Sequence, residues 1–511
     1  MSGYICFLLA IVTSFVPDAI VLPRPRAPWR RGIRALGIHC LSVTSLFSLT
    51  LLCTARPAFA SLVAVALVAL LSVVSNAKFA SLREPFVFTD LSLFSQLFRH
   101  PRLYLPFLSA TDVIAMLVGT GLFVGVFLAN SELPGMPAIA LLAVSAACLA
   151  GCMMLSAALP LTLDPSNDQQ HHGFFAVFVA YLLNGLRPSV VRNFRAALLT
   201  GPYSRQAAPA KRPDVILIQS ESFFDARRLG DSVHPELLQH FDAAQRSALQ
   251  YGELRVPAWG ANTMRTEFAV LTGLPESMLG LARFYPYAFI RRPCASLAGW
   301  FRRAAYRTVA VHPYYADFFG RNRTLPLMHF ERFLDIRHFA DAKRAGPYIS
   351  DAAVANAILA ELEAAASEPA FIMAMTMENH GPLHLEQVTP GEGAQYHTRG
   401  DGTPWNDLTA YLRHLAAADA MIGRLMEALR ARERGTILCF YGDHVPALPK
   451  VFEALGGLQT HSDYFIWSSD SRQNPAPVRK DIYAAELGQE LIGHIPQEEN
   501  ARPQEQTIST N

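Results

Sequence analysis

The sequence predicts a multi-span helical membrane domain followed by an α/β domain with a mainly parallel sheet flanked by helices. The chain is 51% hydrophobic and only 17% charged, and its apolar residues are concentrated before about residue 160. After about residue 205, short apolar runs alternate with helical patterns such as Ala352–Ala366 and Leu408–Arg432. This alternation is typical of βαβ units, which build parallel sheets covered by helices.

Five segments near the N-terminus each have about the 20 apolar residues that a bilayer-spanning helix needs. They are Tyr4–Leu22, about Ile33–Cys53, Pro57–Ser75, Pro106–Asn130 and Pro137–Leu159. The first lacks the basic start of a signal peptide. A soluble core does not explain the five segments, because no polar face recurs along them. We therefore predict a transmembrane domain of about five spans over residues 1–160.

The orientation of this domain is ambiguous from charge alone. The loop between the first two spans carries five arginines, which favours a cytoplasmic loop. These are Arg24, Arg26, Arg30, Arg31 and Arg34. With five spans, that choice leaves the second half of the chain inside the cell, and a sixth crossing at 173–186 would reverse it. We favour an interfacial helix there, since about 14 residues are too few to span, and we predict a membrane-surface segment at 78–105.

The rest of the chain divides into three further parts. Residues 161–213 hold the interfacial helix and then a basic, proline-containing juxtamembrane linker from residue 187, which either contacts anionic headgroups or is a solvated tether. The α/β domain covers 214–494. The polar tail at 495–511 is predicted to be disordered.

Charge and cysteine content argue against two classes of protein. The net charge is +2 and the arginines are scattered, so no basic surface for nucleic acid is expected. Five of the seven cysteines fall in apolar segments, which leaves only Cys294 and Cys439 in the polar half. A disulfide scaffold is therefore not expected. The oligomeric state is left open.

Four apolar runs in the second half of the chain end in polar side chains. The runs are Asp214–Gln219, Thr308–Val311, Phe371–Thr376 and Thr436–Gly442, and they are followed by Glu221, His312, His380 and the pair Asp443-His444. Because parallel strands present their carboxyl ends at one edge of a sheet, we expect these groups to converge. Taken alone, Glu221 is equally well explained as a surface residue and His380 as a loop histidine with ordinary partners.

Thr263 follows the turn-forming stretch Trp259 to Asn262 and opens an apolar helical pattern that continues through Leu271. The free N–H groups at a helix start favour an anion, although a capping role alone also explains a threonine there. Together with Glu221 and the Asp-His pair, Thr263 completes a mixed oxygen and nitrogen set that suits Mn²⁺ or Zn²⁺. Three further side chains, His312, Arg321 and His380, remain to hold an anionic substrate.

Four phrases in this order resemble the lipoteichoic-acid-synthase-like branch of the sulfatase and alkaline-phosphatase superfamily. They are Gln219 to Phe223, Asn262-Thr263 with Glu267-Phe268, Glu378 to Pro382, and Tyr441 to His444. That branch includes the phosphoglycerol transferases that decorate periplasmic glucans. The match covers most of residues 214–470, and Arg83 to Pro85 with Asp90-Leu91 is similar to a segment that the family places between its spans.

The resemblance implies a sulfatase-like catalytic domain on a multi-pass anchor in the bacterial inner membrane. It places that domain in the periplasm, which overrides the arginine count. The implied activity moves glycerophosphate from phosphatidylglycerol to an envelope glycan or a polyglycerolphosphate chain through a phosphothreonine-type intermediate.

The resemblance also assigns roles to individual residues. It implies that Glu221, Thr263, Asp443 and His444 bind a divalent metal, usually Mn²⁺ in this branch, with Mg²⁺ or Zn²⁺ as alternatives. Thr263 would be the nucleophile. His380 would protonate the leaving group or orient the phosphate, while His312 and Arg321 keep the spacing of the family's glycerophosphate-binding loop.

Departures from the family pattern keep alternatives open. Tyr314 and Phe319 replace an Asp and a Trp of some relatives, and Gln219 stands where some have His, so the donor and acceptor are less defined than the metal chemistry. A true sulfatase would need a Cys or Ser in a C-x-P-x-R context, which surrounds neither Thr263 nor Cys294. A phosphoethanolamine transferase ranks second, because such exported domains usually carry several disulfides. A non-catalytic membrane scaffold is the third candidate.

Overall fold

The computed structural model describes residues 3–93, 110–133, 137–204, 209, 211–365, 367–457, 459–470 and 476–495. The chain divides into two compact units, Met1–Phe194 with Ser277–Phe289, and Arg195–Glu276 with Ile290–Asn511. The predicted disordered tail falls outside the described residues from position 496 onward, as do residues 94–105 of the predicted membrane-surface segment.

The first unit is a bundle of helices. In chain order these are α1 (Gly3–Ala19), α2 (Ile33–Thr54), α3 (Pro57–Leu82), α4 (Ala110–Ala129), α5 (Ala138–Ala158), α6 (Pro165–His172), α7 (Phe174–Gly185) and α8 (Pro188–Thr200), whose last residues belong to the second unit. In the described part of the chain, α2, α3 and α5 are long and apolar enough to cross a bilayer. The pair α7 and α8, bent by 66°, counts as a fourth crossing only if taken as one broken span.

The two remaining predicted spans also form apolar helices. Helix α1 has 17 residues and α4 has 20. The helical unit therefore contains three clear candidates for membrane-spanning helices. The total of about five spans stays a prediction.

Three segments predicted to lie outside the membrane are helical in whole or in part. The segment predicted as an interfacial helix forms α7, and most of its apolar side chains are buried. Part of the predicted tether forms α8. Helix α3 continues to Leu82, and Lys78 near its end donates to Asp90 Oδ2 at 2.7 Å. The start of the predicted surface segment is therefore helical, and the ion pair gives Lys78 a partner inside the protein.

A buried ion pair ties the loop after α1 to that helix. The Arg31 Nη1 atom lies 2.5 Å from Asp18 Oδ2, and both side chains are at most 1% exposed. The other Asp18 oxygen accepts the Phe175 N–H at 2.7 Å. Asp18 thus neutralises the charge of Arg31 inside the protein. The other four arginines of this loop are exposed.

A short segment from later in the sequence belongs to the first unit. Within Ser277–Phe289, the ring of Phe284 stacks on Tyr181 with centroids 5.3 Å apart. Leu281 and Phe284 also join a buried cluster with Val87. These apolar side chains are therefore buried among the helices of the first unit.

The second unit is built on a nine-stranded mixed sheet in the order β10-β2-β9-β8-β1-β7-β3-β4, with β11 beside β2. Its strands are β1 (Asp214–Ser220), β2 (Gln250–Arg255), β3 (Arg307–Val311), β4 (Arg332–Leu334), β7 (Ala370–Met375), β8 (Thr436–Gly442), β9 (His461–Ser468), β10 (Val478–Arg479) and β11 (Ile482–Tyr483), while β5 (Arg344–Ala345) and β6 (Tyr348–Ile349) pair only with each other. Only β9 pairs antiparallel within this sheet, with β2 and β8. The mainly parallel sheet predicted from the sequence is confirmed.

Helices cover this sheet and bury its central strands. They are α9 (Gln239–Arg246), α10 (Thr263–Thr272), α11 (Leu297–Arg303), α12 (Arg321–Leu327), α13 (Asp351–Ala364), α14 (Trp405–Arg430), α15 (Pro449–Leu455) and α16 (Ala484–Gly493). Every residue of β1, β7 and β8 is buried, which is why these strands read as continuous apolar runs rather than alternating patterns. The main core cluster joins their side chains to those of α9, α13 and α14.

No disulfide contributes to either unit. All seven cysteines lie in the described part of the chain, and all are free. The pair Cys294 and Cys439 is buried and unlinked, so the second unit depends on apolar burial for its stability.

Asp18→Asn tests the buried ion pair of the first unit. The substitution leaves Arg31 buried without its counter-charge, so we expect the free energy of unfolding to fall by about 3–5 kcal/mol. Denaturant unfolding of the full-length protein in detergent micelles measures the change. Arg30→Gln alters an exposed arginine of the same loop and should change stability by less than about 0.5 kcal/mol. Wild-type stability of Asp18→Asn would show that the pair does not hold the loop.

Candidate functional site

The carboxyl edge of the central strands brings three of the predicted groups together. Strands β1 and β8 are parallel neighbours with Ser220 opposite Gly442, so Glu221 and Asp443 follow adjacent strand ends. Ligand atoms of Glu221, Asp443 and His444 all lie within 4.8 Å of one another, and all three residues are buried. This is the convergence that the sequence predicts for parallel strands.

Backbone hydrogen bonds aim the Asp443 carboxylate into this cluster. Its Oδ1 atom accepts the N–H groups of Ser222 and His444, each at 2.8 Å. Its Oδ2 atom is buried and has no hydrogen-bond partner. A buried carboxylate oxygen without a partner is costly unless a cation is bound to it.

The imidazole of His444 is oriented in the same way. Its Nδ1 atom lies 2.9 Å from the Val445 carbonyl oxygen, so Nδ1 carries the proton and Nε2 carries the lone pair. The Nε2 atom is buried without a hydrogen bond, and it lies 3.4 Å from Glu221 Oε1 and 3.5 Å from Asp443 Oδ2. An unprotonated nitrogen facing two carboxylates is the arrangement of a metal-binding histidine.

The electrostatics of Glu221 also favour a cation. Burial and, to a smaller extent, the Asp443 charge raise the pKa of this carboxyl to about 8, against the opposing effects of His444, Ser222 and Arg321. Two carboxylates and one imidazole form a donor set that fits a divalent metal ion. The residues present therefore suit the divalent metal that the family resemblance implies.

Gly442 allows β8 to deliver Asp443 to this position. A Cβ atom at residue 442 would overlap the Phe223 carbonyl oxygen and Ser462 Oγ, which are themselves hydrogen-bonded at 2.7 Å. The chain leaving β1 passes so close to the end of β8 that only glycine fits. The glycine before Asp443-His444 therefore has a packing role beside the metal-binding pair.

Thr263 is the first residue of α10, and it does not cap the helix. The N-cap is Asn262, in the left-handed conformation with φ 65° and without a side-chain capping bond. The Thr266 hydroxyl donates to the Asp443 carbonyl at 2.7 Å, which holds α10 against the end of β8. Because residues three apart share a helix face, Thr263 lies on the face of α10 that contacts Asp443.

His312 and Arg321 lie together, but Arg321 has an internal counter-ion. The guanidinium of Arg321 is fully buried and bonds the Glu267 carboxylate at 2.6 and 3.0 Å. Its Nη1 atom is 3.1 Å from His312 Nε2. Burial and the Arg321 charge hold the pKa of His312 well below its usual range, so this imidazole is neutral and accepts from the arginine.

Glu267 is a site residue to which the sequence analysis assigned no role. It lies one turn after Thr263 on α10, and its bonds to Arg321 link that helix to the start of α12. In the sequence, Glu267 belongs to the motif that begins at Asn262-Thr263, and this motif was the signal that could have identified it as a site residue. A buried Arg–Glu pair holds the two elements together, because removing either partner leaves an uncompensated charge.

His380 is half-buried in the loop after β7. Its Nδ1 atom lies 2.7 Å from the Gly381 carbonyl oxygen, which also accepts the Tyr348 hydroxyl at 2.9 Å. The proton is therefore on Nδ1, and Nε2 holds the lone pair. Burial lowers the pKa of His380, which favours the neutral ring. Tyr348 was not identified from the sequence, because its contact with His380 depends on the tertiary fold.

Other buried polar atoms near these strand ends also lack hydrogen-bond partners. They include Gln219 Nε2 and both amide atoms of Asn379. Buried polar groups are almost always satisfied in folded proteins. Several exceptions beside the Asp443 and His444 ligand atoms indicate that a polar ligand completes this edge of the sheet.

Metal binding can be measured through stability. We expect saturating Mn²⁺ to raise the unfolding temperature of the full-length protein, since a ligand that binds only the folded state at 100 times its Kd adds about 2.7 kcal/mol. Asp443→Asn should remove most of this increase. Asp419→Asn, at a buried carboxylate that accepts the backbone N–H of His240 and Phe241, is the matched control and should retain it. A full increase in Asp443→Asn would mean that the ion binds elsewhere.

Comparisons with known proteins agree with this fold. The family model described as Sulfatase matches residues 213–495, which is more than half of the 511 residues. The capsular polysaccharide biosynthesis protein RkpI of Rhizobium meliloti (strain 1021) is 28% identical over 493 residues, covering 90% of this chain and 88% of that protein.

Two solved structures are similar. One is the integral membrane protein lipooligosaccharide phosphoethanolamine transferase A (EptA) from Neisseria meningitidis, with a TM-score of 0.55 and 11% identity over 96% of this chain and 95% of that chain. The other is the Streptococcus pyogenes phosphoglycerol transferase GacH in complex with sn-glycerol-1-phosphate, with a TM-score of 0.47 and 22% identity over 60% of this chain and 80% of that chain. The superfamily predicted from the four motifs is confirmed, and the chain belongs to the Sulfatase family.

Proposed function

We propose that this protein is a membrane-anchored, metal-dependent phosphoglycerol transferase. It takes glycerophosphate from phosphatidylglycerol and passes it to a glycan or polymer of the bacterial cell envelope, on the periplasmic side of the inner membrane. The observation that carries the proposal is the buried cluster of Glu221, Asp443 and His444, with unpartnered ligand atoms next to the helix that starts at Thr263.

The helical unit supports a lipid as the donor. Three of its helices are long and apolar enough to cross a bilayer, and a site tethered to a membrane meets lipid headgroups at high effective concentration. The acceptor is supported by the relative of 28% identity, whose name refers to capsular polysaccharide biosynthesis. We therefore favour an envelope saccharide over a soluble acceptor.

In the first half-reaction, the Thr263 oxygen attacks the phosphorus of the donor. A bond forms between this oxygen and phosphorus, while the bond from phosphorus to the diacylglycerol oxygen breaks. A divalent ion held by Glu221, Thr263, Asp443 and His444, with Mn²⁺ as our first choice, would lower the pKa of the Thr263 hydroxyl and neutralise charge on the phosphate. Thr263 loses one proton and the diacylglycerol oxygen gains one, and we assign the transfer of this proton to Nε2 of His380.

In the second half-reaction, a hydroxyl of the acceptor attacks the same phosphorus and the bond to Thr263 breaks. The acceptor hydroxyl loses a proton and Thr263 regains one, so the enzyme returns to its starting state. A neutral imidazole with a free lone pair suits both steps, because it takes a proton and then returns it. His312 and Arg321 bind the glycerophosphate group in this proposal, and Glu267 holds Arg321 in place.

Transfer of phosphoethanolamine is the second candidate, because the described chain shares its fold over nearly the whole length with EptA. The free cysteines weigh against it.

Intact-mass analysis of Thr263→Ala tests the proposed chemistry. Wild-type protein with Mn²⁺ and phosphatidylglycerol in mixed micelles should gain one glycerophosphoryl group and release diacylglycerol, whereas Thr263→Ala should do neither because it lacks the attacking oxygen. Thr272→Ala changes a buried threonine at the other end of α10, whose hydroxyl donates to the Phe268 carbonyl and accepts the Leu274 N–H, and it should still form the adduct.

The same experiment identifies the donor lipid. A phosphoethanolamine adduct that forms only with phosphatidylethanolamine would favour the second candidate. If protein that binds Mn²⁺ forms no adduct and releases no diacylglycerol with either lipid, the proposal of a phospholipid donor is wrong.

A further inference from the structure

A single histidine contacts both ends of the loop that carries His380. His414, on α14, is 3.2 Å through Nδ1 from Glu378 Oε1 and 2.8 Å through Nε2 from Glu386 Oε2. Its side chain is 3% exposed. Glu378 and Glu386 are the first and last residues of the stretch 378–386, which contains His380.

The two contacts require a charged imidazole. A neutral histidine has one N–H donor, and a carboxylate only accepts, so hydrogen bonds to two carboxylates need both ring nitrogens protonated. Burial works against this charge, but the carboxylates of Glu378 and Glu386 outweigh it and raise the pKa of His414 to about 9. The ring is therefore an imidazolium at neutral pH.

The positive charge of His414 balances the carboxylates that surround it. Glu378 is buried, and its Oε2 atom accepts the Asp351 N–H at 2.6 Å. The Asp351 carboxyl is also buried, and burial together with the Glu378 charge raises its pKa well above the usual range. At the other end of the loop, Arg413 donates to Glu386 at 2.7 Å. Glu378 thus has His414 as its cationic partner, whereas Glu386 has both His414 and Arg413.

We infer that His414 is a positioning residue, whose imidazolium clamps the ends of loop 378–386 and so fixes His380 for its work on the substrate. The inference rests on the proposed function for what His380 does, but the clamp itself rests on the contacts of His414. Loss of the clamp should release mainly the Glu378 end of the loop, since Arg413 still holds Glu386. His380 is two residues from Glu378, so its ring would lose its fixed orientation.

His414→Gln in the full-length protein tests the clamp, because glutamine has no charge to offset two carboxylates. For release of diacylglycerol from phosphatidylglycerol, we expect kcat to fall at least about tenfold and KM to change less than about threefold. The stabilisation of the fold by Mn²⁺ should be kept. Arg413→Gln is the matched control on the same helix. It removes a bond to Glu386 but none to Glu378, and its kcat should stay within about twofold of wild type.

The pH profile gives a readout that a merely structural residue would not change. The pKa of His414 is raised from the ordinary value of 6.5 to about 9 in the folded protein, so the clamp is intact at neutral pH and is lost as pH rises through about 9. Wild-type kcat should fall as pH rises through about 9. The fall should be absent from the residual activity of His414→Gln, and His414→Lys, which keeps a positive charge, should recover part of the lost kcat.

Hydrogen–deuterium exchange separates the clamp from the choice of donor lipid. His414→Gln should increase amide exchange in 378–386 and leave α10 unchanged, whatever the substrate is. Unchanged exchange in that loop, or a kcat within twofold of wild type, would overturn the inference. Failure of wild type to form any lipid adduct would instead count against the proposed function. If His414→Gln does not fold, Glu378→Gln replaces it, with the same expected exchange in the loop.

Discussion

The pair of hydrogen bonds that Asp443 Oδ1 accepts is the interaction on which the rest of the site depends. One comes from Ser222, just after β1, and the other from His444, just after β8. The bond from Ser222 joins the ends of two parallel strands, and the bond from His444 lies within the segment after β8. Together they leave Oδ2 directed at Glu221 and His444. They form only because Gly442 lets the chain after β1 pass directly over the end of β8. The absence of a side chain at residue 442 thus fixes the geometry of the cluster of Glu221, Asp443 and His444.

Neighbouring elements are positioned relative to the same point. Helix α10 is held by the bond from Thr266 to the Asp443 carbonyl, and the Glu221 N–H donates to Thr376 at the end of β7 at 3.0 Å. The Glu267–Arg321 pair then connects α10 to α12. Each of these contacts is buried, where hydrogen bonds and ion pairs are strong and where an unpaired partner is costly. Such a rigid frame suits a reaction that depends on holding a hydroxyl, a phosphate and a proton carrier in fixed positions.

Much of this arrangement could be predicted from the sequence, because buried parallel strands leave a clear pattern. The strands β1, β7 and β8 are continuous apolar runs followed by polar residues, and their observed ends lie within a residue or two of the predicted ones. Strand β2 was not predicted, since its residues Gln250–Arg255 are mostly polar and alternate in burial. Contacts made across the fold leave no local pattern at all. The bonds of His414 to Glu378 and of Tyr348 to His380 join residues more than 30 positions apart.

The strand ends and the start of α10 are proposed to form one metal-binding site. Diffraction at the manganese absorption edge, from crystals of the full-length protein grown with Mn²⁺, locates the ion. We expect an anomalous peak within about 2.0–2.3 Å of a Glu221 oxygen, Thr263 Oγ, an Asp443 oxygen and His444 Nε2. A peak among other residues, or one with the Thr263 hydroxyl outside coordination distance, would show that these residues do not form the site.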